Sequence, residues 1–162
     1  MINKRFWVVL GKISERLSAY PGRWLIVGSC NLALQGLPID PQDIDISTDQ
    51  NGAYEIERLF SEYILHKVKY SSGKAIRSHF GTLMIDGVKI ELMGDLEIKD
   101  SFGAWQRTTI KRITHWITVN SLQLPVASLE SEYQGYQWLG RFKRAELIRN
   151  WLESKQKKDF SD

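Results

Sequence analysis

Trp24-Leu25-Ile26-Val27-Gly28-Ser29, then thirteen residues, then Asp43-Ile44-Asp45-Ile46 is the stretch from which the fold can be read. Trp24 to Val27 is a short apolar run whose residues suit a buried strand. Gly28-Ser29 closes it, and Cys30 to Gln35 reads as a short helix with Ser29 as its N-cap. Gly36 and Pro38 break that helix. Such a strand-to-helix junction presents free N–H groups and the positive end of a helix dipole, a seat for phosphate. Asp43 to Ser47 alternates polar and apolar residues, which is strand periodicity. Asp43 and Asp45 therefore share one face while Ile44 and Ile46 take the other. Residues two apart on a strand have Cα atoms about 7 Å apart, close enough for their carboxylates to share hard cations.

Working outward, Phe6, Val9, Leu10, Ile13 and Leu17 recur at helical spacing and predict a helix from Lys4 to Tyr20, ended by Pro21-Gly22. Gly52 to Tyr63 predicts another helix, and Leu65 to Tyr70 a strand followed by the loop Ser71-Ser72-Gly73-Lys74. Phe80 to Ile85 and Val88 to Met93 flank Asp86-Gly87, a pair that favours the positive φ angles of a type I′ hairpin turn. In that hairpin Glu91 points opposite to Ile90 and Leu92, hence to the open face, and lies across from Thr82. Gly94 to Ile110 reads as irregular. Trp116 to Val119 and Leu122 to Val126 predict two more strands, and Ser128 to Leu139 and Phe142 to Glu153 a helix pair split by Gly140. This order implies an α+β (mixed α/β) fold, a mixed sheet flanked by helices. The expected organisation is a core over residues 1–126 and a C-terminal helical tail over residues 127–162, packed on the core.

The chain has 162 residues, 43% hydrophobic and 25% charged, the composition of a globular protein rather than a disordered one. No apolar run approaches the roughly 20 residues that span a bilayer, and the first residues lack a signal-peptide pattern. No membrane partner is expected. The single cysteine, Cys30, excludes an internal disulfide and a multi-cysteine zinc site, so the cytoplasm is the expected location. The net charge is +3, and all of it lies at one end. Residues 141–162 carry seven Lys/Arg against four Asp/Glu, which leaves fifteen of each sign in residues 1–140. A body with no net charge argues against binding nucleic acid over a broad face. Within the tail, Arg141, Lys143 and Arg144 are the cations positioned to face a cleft, whereas Lys155 to Lys158 read as a solvated helix end.

Val27-Gly28-Ser29, the spacer and Asp43-Ile44-Asp45-Ile46 resemble the signature of the DNA polymerase β-like nucleotidyltransferase superfamily. Ile90-Glu91-Leu92 resembles its third acidic motif. Leu124 to Glu130, with Leu139-Gly140-Arg141-Phe142-Lys143, resembles the tail of a small branch. That branch holds minimal nucleotidyltransferases and the aminoglycoside and lincosamide adenylyltransferases. The resemblance implies Mg²⁺-dependent transfer of a nucleoside monophosphate from a nucleoside triphosphate to a hydroxyl, with AMP from ATP as the first expectation. It implies that Gly28 and Ser29 contact the triphosphate and that Asp43 and Asp45 bind metal. Glu91 would be the third metal ligand or the base for the acceptor hydroxyl. Tyr136 and Arg144 stand where the branch often has Lys and Asp. The acceptor is open: a small molecule, a protein side chain or an RNA end. The alternative is a non-catalytic or regulatory member acting through a protein partner, as in toxin–antitoxin modules that contain this fold.

Simpler roles stand beside these. Gly28-Ser29 also serves a plain helix cap, and Glu91 beside Lys89 also reads as a solvated hairpin charge. Cys30 reads as a packed residue, and His66, His79 and His115 show no metal-ligand spacing. Lys74 and Arg77 read as a surface loop, and most of the tryptophans as packing, with Trp105 and Trp116 left open.

Overall fold

The computed structural model describes residues 1–159, with side chains through Lys157; Lys158 of the terminal basic run therefore lies outside the described side chains. The chain runs through α1 (Lys4–Leu17), β1 (Trp24–Val27), α2 (Gly28–Leu34), β2 (Asp43–Thr48) and α3 (Gln50–Leu59). A 3-10 turn at Ser61–Tyr63 leads into β3 (Ile64–Ser72), β4 (Ile76–Ile85), β5 (Val88–Lys99) and β6 (Trp105–Arg107). Then come α4 (Ile110–Ile113), β7 (Thr114–Val119), β8 (Leu122–Ala127), α5 (Leu129–Trp138) and α6 (Phe142–Asp159). The sheet order is β3-β4-β5-β2-β1-β8-β7, with β6 against β5. The pairs β2·β5 and β1·β8 are parallel and the others antiparallel, the mixed sheet that the order of elements implied.

Apolar patterning decides which face is filled. Phe6, Val9, Leu10, Ile13 and Leu17 of α1 and Ala53 and Ile56 of α3 form one core with Ile44, Ile46, Ile90 and Leu92. The helices start where short polar side chains accept backbone N–H bonds: Asn3 from Phe6, Asp49 from Gly52 and Ser128 from Ser131. A second cluster joins the tail to α2 and the loop behind it through Leu32, Leu37, Ile39, Leu129, Tyr136, Ala145 and Ile148. Both ends of Asp86-Gly87 behave as read: φ is positive at both residues, and Ile85 pairs with Val88.

Two expectations need correction. Ser29 does not cap α2. The helix begins two residues earlier than expected, at Gly28, its cap position is Val27, and no side-chain cap bond forms. Gly28, at φ +70, makes the turn that a capping serine was expected to organise. The stretch Gly94 to Ile110 is not irregular either. β5 continues to Lys99, β6 pairs with it, and α4 follows. Gly94, where the irregular stretch was expected to begin, is a close approach: a Cβ there would stand 2.8 Å from both Ala53 Cβ and the Asp49 carbonyl. Its missing side chain lets α3 lie against a strand that goes on.

Candidate active site

The parallel pairing of β2 with β5 sets Asp45 beside Glu91 and Asp43 beside Lys89. Because Ile44, Ile46, Ile90 and Leu92 are drawn into the core, the three carboxylates are left on the opposite face. One oxygen from each of Asp43, Asp45 and Glu91 lies within 4.8 Å of the others, the spacing at which carboxylates share a cation. Glu91 faces Thr82 across the hairpin, as its register predicted. Among the described residues no second group of acids, histidines or cysteines comes together in this way.

Three like charges crowd this spot. Burial and the neighbouring Asp43 and Glu91 push the Asp45 carboxyl up to about 8. Lys89 answers part of the excess: its ammonium is 2.6 Å from Glu91 Oε1 and 3.4 Å from Asp43 Oδ2. These hydrogen bonds and charges raise the lysine's own pKa. Lys89 is thus a third party to the site, and Glu91 is not a free solvated charge. Cys30 is buried behind the site and its thiol is pushed up to about 12, mainly by burial, which fits a packed residue.

Gly28 has a further part beside the one expected. Val27 pairs with Asp45 across β1 and β2, so the chain turns into α2 directly beside that carboxylate. A Cβ on Gly28 would be 2.5 Å from Asp45 Oδ2. The glycine's N–H is already engaged, donating to Glu132 Oε1 at 2.7 Å. Ser29 lines the open groove beside Asp43.

Glu132 is the site residue that the sequence reading missed. It is buried in α5, and its Oε1 also accepts from Asn31 Nδ2 at 2.7 Å. Asn31 and Gln35 in turn donate to the Ala127 carbonyl, each at 2.9 Å. Burial pushes the Glu132 carboxyl up to about 7, against the pull of its two N–H donors. One carboxylate therefore ties the tail to the Gly28 turn. A signal was available: Glu132 falls three residues after Leu129 and four before Tyr136, on the same buried stripe of the helix.

Two hollows meet at the triad. The outer groove, about 980 Å³, is walled by Ser29, Gln42, Asp43 and the start of α6, where Arg141, Lys143 and Arg144 all face it. Arg144 lies over the Tyr136 ring at 5.9 Å, and its Nη1 is buried without a hydrogen-bond partner. The inner cavity, about 210 Å³, lies beneath α5 and along the far half of β5. The remaining sequence candidates fall elsewhere. His79 contacts Tyr54 and Tyr70, and His66 bonds Thr82. Arg77 pairs with Glu97 and stacks on Trp105, while Trp116 is exposed on β7.

The family model described as aminoglycoside-2''-adenylyltransferase matches residues 9–150 of the chain. The chain belongs to this adenylyltransferase family. Comparison with curated proteins gives no match. Among solved structures, the chain is 44% identical to a candidate nucleotidyltransferase from Thermotoga maritima, with a TM-score of 0.82 over 95% of this chain and 96% of that one. ANT(2'')-Ia in complex with adenylyl-2''-tobramycin shares the fold at 12% identity, with a TM-score of 0.58 over 92% and 90%. A lincomycin-bound lincosamide antibiotic adenylyltransferase does so at 11% identity, with a TM-score of 0.54 over 91% and 96%. The nucleotidyltransferase fold expected from the motifs is thus the fold of this family member. Among the described residues no helix is long and apolar enough to cross a membrane.

Proposed function

We propose that this family member transfers a nucleoside monophosphate, AMP from ATP, to a hydroxyl group in a Mg²⁺-dependent reaction. The observation that carries the reading is the triad of Asp43, Asp45 and Glu91 within 4.8 Å, opening on a groove with three cations. The donor set fits the metal: three carboxylates are hard oxygen ligands, and their crowding leaves a deficit of positive charge. Asp43 and Asp45 hold Mg²⁺, with Glu91 as third ligand or as base. Bound there, the metal supplies Lewis-acid neutralisation of the phosphate oxygens.

The chain's own residues do the rest. Arg141, Lys143 and Arg144 hold the triphosphate along the outer groove, with the Ser29 hydroxyl as a further donor. The buried, unpartnered Nη1 of Arg144 is ready for a phosphate oxygen. Gly28 keeps Asp45 at its post by leaving it room. As base, Glu91 takes the proton of the acceptor hydroxyl at a carboxylate oxygen. Lys89, in contact with Glu91 and Asp43, would compete with a metal for their oxygens.

The test is pyrophosphate release from ATP with Mg²⁺ across a panel of hydroxyl acceptors. Metal-dependent release, lost in Asp43→Asn/Asp45→Asn, is expected. An absence of release across the panel, together with an absence of Mg²⁺-dependent ATP binding, would overturn the reading.

A further inference from the structure

The inner cavity adjoins the cationic groove: the two hollows share Asp45, Glu91, Tyr136 and Arg141 as a common wall, while Asp43, Lys143 and Arg144 line the groove alone. The cavity's remaining lining is mostly apolar, with Met93, Leu96, Ile98, Ile113 and Leu139 as the larger side chains. The acids that border it are already committed. Asp45 and Glu91 belong to the triad, and Glu132 Oε1 accepts from Gly28 and Asn31. Nothing in the lining offers a set of free carboxylates to a polycation. At about 210 Å³ the cavity exceeds the roughly 10–15 Å³ that one water needs many times over, and it has room for a ligand of about fifteen non-hydrogen atoms.

Reaction geometry decides what enters it. In phosphoryl-type transfer the attacking and leaving oxygens stand roughly in line across the phosphorus. If pyrophosphate leaves along the cationic groove, the attacking hydroxyl arrives from the opposite side of the shared wall. We propose that the inner cavity is the acceptor site, and that it takes a compact, largely apolar alcohol rather than a polycationic sugar. The proposal rests on the transfer reading given above. In the step, the alcohol oxygen forms a bond to the α-phosphorus and the α–β phosphoanhydride bond breaks. The hydroxyl proton passes to the Glu91 carboxylate and pyrophosphate leaves.

Gly135 provides the test. It lines the cavity from α5, and a Cβ there meets nothing closer than Ile98 Cδ1 at 3.9 Å. Gly135→Leu therefore fills the cavity from a helical position, and Gly135→Ala is a milder step that also favours the helix. Calorimetric titration of the full chain with tryptophol and with tobramycin, with and without Mg²⁺ and α,β-methylene-ATP, reads the outcome. Tryptophol is expected to bind, about tenfold or more weaker in Gly135→Leu and less affected in Gly135→Ala. Tobramycin binding that Gly135→Leu abolishes would overturn the acceptor class. Loss of α,β-methylene-ATP binding in Gly135→Leu would put the nucleoside in the cavity and overturn the assignment. Binding of α,β-methylene-ATP with Mg²⁺ but not of tryptophol overturns the acceptor class alone. Tryptophol binding without any nucleotide binding overturns the transfer reading and the acceptor role with it.

Discussion

The outer groove is walled by a serine, a glutamine and three cations and is wide, about 980 Å³. The inner cavity, about 210 Å³, is roofed by α5 and lined mainly by aliphatic side chains. Both reach the same carboxylates. A single acidic wall thus separates a place suited to anions from a place suited to an apolar body. On the proposed transfer reading, this contrast keeps the triphosphate and the acceptor on separate sides of the carboxylates. Lys143 and Arg144 at the start of α6 line the groove alone, the aliphatic lining of the cavity comes from β5, α4 and α5, and Arg141, just before α6, borders both hollows.

Removing the shared wall has the largest expected effect. Asp45→Asn should drop pyrophosphate release to background. The same substitution should stabilise the metal-free chain near pH 8, because it removes a charge held among Asp43 and Glu91. Asp45, pushed up to about 8, and Glu132, pushed up to about 7, both stand above the ordinary carboxylate range. The folded, metal-free chain therefore keeps protons that the unfolded chain has released. Its stability falls as pH rises from about 4, where unfolded carboxylates ionise, through these raised values. Melting curves in chelator at pH 5 and pH 8 should show the fall, Mg²⁺ should offset it at pH 8, and Asp45→Asn should flatten it.

Cutting the tie between the tail and the wall comes next. Glu132→Ala leaves the Gly28 N–H and the Asn31 amide without their acceptor, a loss of about 2–4 kcal/mol in denaturant unfolding. Glu132→Gln keeps an acceptor oxygen and should cost less. Gly28→Ala distorts the wall from the other side. Its left-handed backbone alone costs about 1–2 kcal/mol, and its methyl would push Asp45 aside, so Mg²⁺-dependent ATP binding should weaken along with stability. The smallest effect is confined to the groove. Arg144→Ala should weaken ATP binding by about tenfold, leave tryptophol binding in place and reduce the salt dependence of ATP binding.

The strand half of this arrangement was readable because its signals are local. A period of two placed Asp43 and Asp45 together, and Asp86-Gly87 fixed the hairpin register that aims Glu91. The parallel pairing of β2 with β5, which joins those two pieces, is a long-range contact that no local pattern announces. Glu132 was hidden for a related reason. A glutamate in a helix is expected to face water, and its burial depends on two donors that lie about a hundred residues earlier. Gly28 was read as a phosphate seat and Gly94 only as the start of an irregular stretch, while the structure uses the absence of their side chains against Asp45 and α3. Arg144 was noticed as a departure from the branch's pattern, but its position over Tyr136 became visible only when α5 and α6 were packed together.

The most direct test of the central claim, that Asp43, Asp45 and Glu91 hold a metal that seats a nucleoside triphosphate, is calorimetric titration of the chain with ATP in Mg²⁺ and in chelator. Wild type should bind ATP in Mg²⁺ and much more weakly in chelator, and Asp43→Asn/Asp45→Asn should lose that difference. Binding of equal strength in both conditions, unchanged by the double substitution, would contradict the account.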